Sequence, residues 1–77
     1  MLKAEIVIRA LDKDGQVFDF SHYTYSNIEG QTVPDKDFED YIREYANRIA
    51  LFACSESWDE CDFIAVVGIN FEKIEDD

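Results

Sequence analysis

Nucleophilic chemistry needs a Ser, Cys or Thr within hydrogen-bond reach of a base, and a third group that orients the base. This chain offers few of those parts. Its one histidine, His22, lies in an aromatic run, and neither Cys54 nor Cys61 stands at a spacing that pairs with it. A histidine in such a run more often flanks a turn or a core edge than serves as a catalytic base. Metal chemistry is no better supplied. Asp12-x-Asp14-Gly15 has the middle of a calcium loop, but Ala10 would then hold the first ligand position and Ser21 the place of the bidentate glutamate. A hairpin turn accounts for the same residues. Cys54 and Cys61 lack the close pairs or partner histidines of a structural zinc site. Gly15, Gly30 and Gly68 are isolated, so neither a phosphate cradle nor a dinucleotide fingerprint is present. No catalytic residue, metal or cofactor is expected, and the chain reads as a binding protein rather than an enzyme.

Carboxylates are the remaining chemistry. Eighteen Asp and Glu against seven Lys and Arg give a net charge of −11. That field repels nucleic acid and anionic membranes and attracts basic surfaces, the largest of which are those that bind nucleic acid. Solubility alone asks for a magnitude of only about 2–8 in a small domain. The acids are also clustered. Asp37, Asp40 and Glu44 are spaced three and four apart, which on a helix makes one ridge. Glu56, Asp59, Glu60 and Asp62 surround the lone tryptophan, Trp58, the residue type most enriched at interface hot spots. Against this stands the plainer reading that such runs simply solvate a small protein, with Lys36, Arg43 and Arg48 partly neutralising the helix.

The elements that must position these residues are few. With 77 residues, 47% of them apolar, the chain is one acidic domain spanning 1–77 and too apolar to be a disordered tail. Lys3 to Leu11 alternates as a half-buried strand, and Asp12-Lys13-Asp14-Gly15 is a hairpin turn. Gln16 to about Ser26 is an aromatic strand whose phase changes between Phe18/Phe20 and Tyr23/Tyr25. Either a bulge near Ser21-His22 or burial of both faces explains that change. A loop from Asn27 to Val33 leads to a helix from Asp35 to Cys54, with Phe38, Tyr41, Ile42, Tyr45, Ala46, Ile49, Phe52 and Ala53 at helical spacing. Thr32 or Asp35 can cap its start, and Cys54 is a small buried hydrophobe at its end.

Asp62 to about Ile74 is the last strand, with Phe63, Ala65, Val67, Ile69 and Phe71 on one face. Its continuous apolar run suits a central position, or a second face covered by another molecule. A right-handed crossover then sets this strand beside the first and antiparallel to it. The expected fold is α+β, in the order ββαβ, a three-stranded antiparallel sheet with one helix packed across one face. No stretch approaches a membrane span, and MLKAEIVIRA lacks the features of a signal peptide, so a cytoplasmic protein with reduced thiols is expected.

The run DKDGQVFDFSHYTY followed by DKDFEDYI, about half the chain with the stretch between, resembles the acidic turn, aromatic strand and acidic helix start of a phage inhibitor of uracil-DNA glycosylase. In size and acidity the chain is similar to the wider class of phage-encoded nucleic-acid mimics, which includes inhibitors of restriction enzymes and of CRISPR nucleases. The resemblance implies an anti-defence inhibitor in the host cytoplasm that occupies the basic DNA- or RNA-binding surface of a host enzyme and does not itself bind nucleic acid. The partner-binding residues are then Asp37, Asp40, Glu44, Glu56, Trp58, Asp59, Glu60 and Asp62. The alternative is a small structural or regulatory module that pairs through a strand edge or the second face of the last strand, as a homodimer, with Ile64, Val66, Val7 and Leu11 carrying the contact.

Overall fold

A computed structural model describes residues 1–28, 30–56 and 61–74 of the chain; Trp58, Asp59 and Glu60 lie outside the described residues. The elements run β1 (Leu2–Leu11), β2 (Val17–Tyr25), β3 (Asn27–Ile28), β4 (Gln31–Thr32), α1 (Asp35–Ser55) and β5 (Asp62–Lys73). The sheet is antiparallel in the order β2-β1-β5, so the last strand does return beside the first, and α1 packs over β1 and β5. This is the α+β architecture that the sequence implies.

β1 sits at the centre because its alternation is strict. Leu2, Ala4, Ile6, Ile8 and Ala10 are buried under α1, which presents Phe38, Ile42, Ala46, Ala50 and Cys54 to them at intervals of one turn. Small residues at Ala4, Ala10, Ala46 and Ala50 allow helix and sheet to approach closely, and Ile6, Ile8 and Ile42 fill the space between. Phe38 meets Phe71 edge-on with ring centroids 6.4 Å apart, which fixes the start of the helix over the end of β5.

The hairpin between β1 and β2 closes through Asp12. Its backbone N–H donates to the Gln16 carbonyl at 2.9 Å, and its Oδ1 accepts from the Asp14 and Gln16 N–H groups, each at 2.9 Å. Gly15, at φ +79, supplies the left-handed residue that this turn needs.

Several expectations are corrected. β2 has no bulge at Ser21-His22: it stays in register with β1 from Leu11↔Val17 to Lys3↔Tyr25, so Phe18 and Phe20 face the helix side and Tyr23 and Tyr25 the other. The irregularities fall in β5 instead, where Ile64 and Val67 are the extra residues opposite β1, each 43% exposed. Each extra residue shifts the phase by one, so the helix-facing set is Phe63, Val66, Ile69 and Phe71, without Ala65 or Val67. β5 is an edge strand and not a central one; its apolar run reflects those two shifts. Asn27 to Val33 is a short ladder, Asn27↔Thr32 and Ile28↔Gln31, with Gly30 at φ +81 beyond Ile28. Neither Thr32 nor Asp35 caps α1: Pro34 holds the cap position, which places Asp35 inside the first turn, and no side chain caps the helix. There Asp35 and Asp37 favour the positive end of the helix dipole.

Among the described residues, no helix is long and apolar enough to cross a membrane.

Candidate functional site

The ridge on α1 forms as its spacing implies. Asp37, Asp40 and Glu44 are exposed, on the side of the helix away from its buried stripe, and Asp37 and Glu44 lie about 10 Å apart along the axis at 1.5 Å per residue. None of the three forms an ion pair among the described residues. Two helix cations are engaged elsewhere. Arg43 reaches Glu39 at 3.7 Å and lies over the Phe71 ring, and Arg48 lies over Tyr45. Lys36, exposed beside Asp37, is the remaining cation of the helix and forms no ion pair with the ridge either, so the three carboxylates are unpaired on their own helix.

Glu56 and Asp62 do not continue it. Glu56 is exposed at the C-cap, about 18 Å along the axis from Glu44, and Asn47, Arg48 and Leu51 occupy the outward face between them. Asp62 pairs with Leu11, on the sheet face that α1 does not cover. Chain geometry thus divides the carboxylates between two ends. Asp37, Asp40 and Glu44 sit above the end where the chain starts, whereas Glu56 and Asp62 sit at the end of the Asp12–Gly15 hairpin. Sequence adjacency alone had joined Asp62 to the helix acids; the direction of α1 along the sheet separates them.

Sequence reasoning missed the ordered polar face of the sheet. Lys3, Glu5 and Arg9 alternate out of β1, and each meets cross-strand partners. Glu5 accepts from Ser21 Oγ at 2.8 Å, Asn70 Nδ2 at 3.1 Å and Tyr23 Oη at 3.2 Å. Arg9 grips Asp19 through Nε at 2.9 Å and Nη2 at 3.1 Å, and Lys3 lies 4.6 Å from the Tyr23 ring centroid. The register could have been read from the hairpin, since Asp12 to Gln16 fixes every pair that follows.

These donors hold the Glu5 carboxyl below its ordinary value of 4.5, the Ser21 hydroxyl contributing most and Asn70 next, and the Arg9 hydrogen bond does the same for Asp19. A carboxyl lowered by folding stabilises above its unfolded pKa and loses that contribution as pH falls through the folded value. The Glu5→Gln variant should therefore show a flatter loss of stability than the parent below about pH 4.5, followed by urea unfolding at a series of pH values. Parallel curves would remove Glu5 from the acid response.

On the helix side, α1 leaves β2 partly uncovered. The resulting groove of about 320 Å³ is lined by His22, Thr24, Val33, Phe38, Tyr41 and Ile49. It continues along the helix flank past Tyr45, Arg48 and Phe52. His22 is half-buried opposite Ile6 at the middle of the edge strand β2, while Cys54 is buried at the far end of α1, so the two are not brought together. The Cys61 thiol donates to the Cys54 carbonyl at 3.6 Å, and burial first, then Cys61, pushes the Cys54 thiol up to about 11. At that value Cys54 is a packing residue with little thiolate near neutral pH. Among the described residues no three His, Cys, Asp or Glu side chains group as a metal site would require.

In comparisons with known proteins, no family model, no curated protein and no solved structure matches the chain.

Proposed function

We propose that this protein is a non-enzymatic inhibitor that mimics nucleic acid and occupies the basic DNA- or RNA-binding surface of an enzyme, in the manner of the phage anti-defence proteins it resembles. The observation that carries the reading is the exposed ridge Asp37, Asp40 and Glu44, unpaired among the described residues, on a chain of net charge −11. A helix gives the three carboxylates fixed separations of about 5–6 Å between neighbours at Cβ, a rigid anionic row rather than a diffuse cloud. Glu56 and Asp62 supply further negative charge at the opposite end of a body measuring 43 × 20 × 17 Å. Trp58, Asp59 and Glu60, which lie outside the described residues, are assigned to the contact from the sequence alone.

The test is electrostatic. Binding to a basic nucleic-acid enzyme, whether a glycosylase, a restriction enzyme or a Cas nuclease, should weaken steeply with salt and compete with DNA or RNA. Reversing Asp37, Asp40 and Glu44 to Lys should reduce affinity at least a hundredfold while circular dichroism stays unchanged, because all three side chains are exposed. Affinity indifferent to both salt and charge reversal would sink the reading.

The competing reading is a homodimer through a strand edge. Val7 and Leu11 do lie on the uncovered sheet face and Ile64 is exposed in β5, whereas Val66 is turned to the helix side and drops out of that surface. Light scattering at two salt concentrations separates the readings, since an apolar dimer persists in high salt.

A further inference from the structure

We infer that the free edge of β2 is a docking site for an extended segment of a partner protein, one that alternates apolar and basic residues and adds to the sheet as a fourth strand. The ladder determines which backbone groups are available. Asp12 N–H bonds the Gln16 carbonyl at one end of the hairpin, and Ser26 N–H bonds the Leu2 carbonyl at 2.8 Å at the other. In an antiparallel pair, bonded and non-bonded positions alternate. Phe18, Phe20, His22 and Thr24 therefore exchange bonds with β1, and the N–H and C=O groups of Val17, Asp19, Ser21, Tyr23 and Tyr25 point outward from the sheet.

The two edges of the sheet are treated differently. β5 is interrupted by the extra residues Ile64 and Val67, and such bulges spoil a template for further pairing. β2 is nine residues of unbroken register with no Pro, no Lys and no bulge, and its one acid, Asp19, is tied to Arg9. Beside this regular edge lies the groove between β2 and α1. A strand added to β2 directs every second side chain into that groove and the others to the polar face, which is how strand addition gains both backbone bonds and side-chain selection. The groove's aromatic floor suits apolar side chains. The alternate side chains of the added strand lie on the sheet face away from α1, and their basic character is matched to the net charge of −11 of the chain as a whole. A second copy of the chain fits the edge less well, because each copy brings a net charge of −11. The basic character of the segment rests on the function proposed above; its extended backbone does not.

The probe is a synthetic peptide of about ten alternating Val and Lys residues, with a Val/Thr peptide of equal length as the neutral comparison. Binding of the Val/Lys peptide should slow hydrogen exchange at the Val17, Asp19, Ser21, Tyr23 and Tyr25 amides together. Ser21→Pro removes an outward N–H without touching the ladder to β1, and should weaken the peptide at least tenfold. Ser21→Ala, which keeps that N–H and loses only the bond to Glu5, should bind within twofold of the parent. Thr24→Arg leaves the backbone alone and places a cation in the groove, so it should weaken the Val/Lys peptide even if Ser21→Pro fails to fold. Protection confined to the helix, or Ser21→Pro and Thr24→Arg both binding as the parent does, would overturn the proposal. So would a doubling of mass with the same five amides protected in the absence of peptide, which would assign the edge to a second copy. If the Asp37, Asp40 and Glu44 reversal leaves the Val/Lys peptide unaffected while both peptides still protect the edge, the charge reading fails and the strand site stands.

Discussion

Ile6→Ala is expected to lower the stability of the domain by about 2–5 kcal/mol, the range for truncating a fully buried branched side chain. Ile6 is 0% exposed, lies in the central strand opposite His22 on one side and Ile69 on the other, and sits under α1. The lost methyl and methylene groups leave a void that cannot readily close, because a backbone paired on both sides has no freedom to move inward. Ala4, its neighbour on one side in the same row, is too small to lean into it. A domain of 77 residues has roughly 4–12 kcal/mol in total at about 0.05–0.15 kcal/mol per residue, so the change removes a large share of what holds it folded. Urea unfolding measures it directly. Phe52→Ala is the matched control, since Phe52 is 61% exposed and its loss should stay within about 0.5 kcal/mol. Equal costs at the two sites would mean that the core does not lie where the burial places it.

Ser26→Ala is expected to cost about 1–3 kcal/mol, more than a serine-to-alanine change at an exposed site, because it strands a buried donor. Ser26 is the one buried polar residue of the described set, at 0% exposure. Its Oγ accepts the Leu2 N–H at 2.7 Å, its own N–H donates to the Leu2 carbonyl at 2.8 Å, and its carbonyl accepts the Val33 N–H at 3.0 Å. Through its side chain and its backbone together, this one residue fastens the start of β1, the end of β2 and the approach to α1. Alanine keeps both backbone bonds and removes the third partner, leaving the Leu2 N–H without an acceptor. Ser55→Ala, whose exposed hydroxyl bonds the Phe52 carbonyl, should change stability little by comparison. If the two substitutions cost the same in urea unfolding, another acceptor reaches Leu2.

The parts of this fold that were legible in the sequence are those set by simple periods. The row Ala4, Ile6, Ile8, Ala10 and the helix positions Phe38, Ile42, Ala46 and Cys54 recur at regular spacing, and a repeat states which face is buried; Leu2 and Ala50 join them only in the structure, and Tyr41 and Phe52, read at the same helical spacing, stay exposed at the edge of the stripe. Strand order followed from the handedness of the crossover. β5 was misread because two inserted residues shift its phase, and an insertion leaves no local mark in a run as uniformly apolar as FIAVVGINF. The strand pattern is visible only against the partner strand. Ser26 was passed over for a related reason: one serine after a tyrosine in a strand is unremarkable until Leu2 arrives across the sheet. At the candidate site, the helical ridge was legible because three- and four-residue spacing is itself geometry. The placement of Glu56 and Asp62 was not, since it depends on which way α1 runs over the sheet.

The central position of β1 also constrains how the chain can fold during synthesis. Of the sheet strands β1 is made before β2 and β5, and the strand that completes its second side, β5, runs to Lys73. The β1–β2 hairpin can pair early, but a lone hairpin is marginal in water. The buried row of β1 and the stripe of α1 cannot be fully sealed until β5 has left the ribosome, because Phe63, Val66, Ile69 and Phe71 close that layer. Pairing between segments this far apart in the chain makes folding slow relative to a helical bundle of equal length. Nearly the whole domain must therefore stay soluble while unfolded, and a dense negative charge, by keeping unfolded chains apart, is suited to that interval as well as to any later encounter.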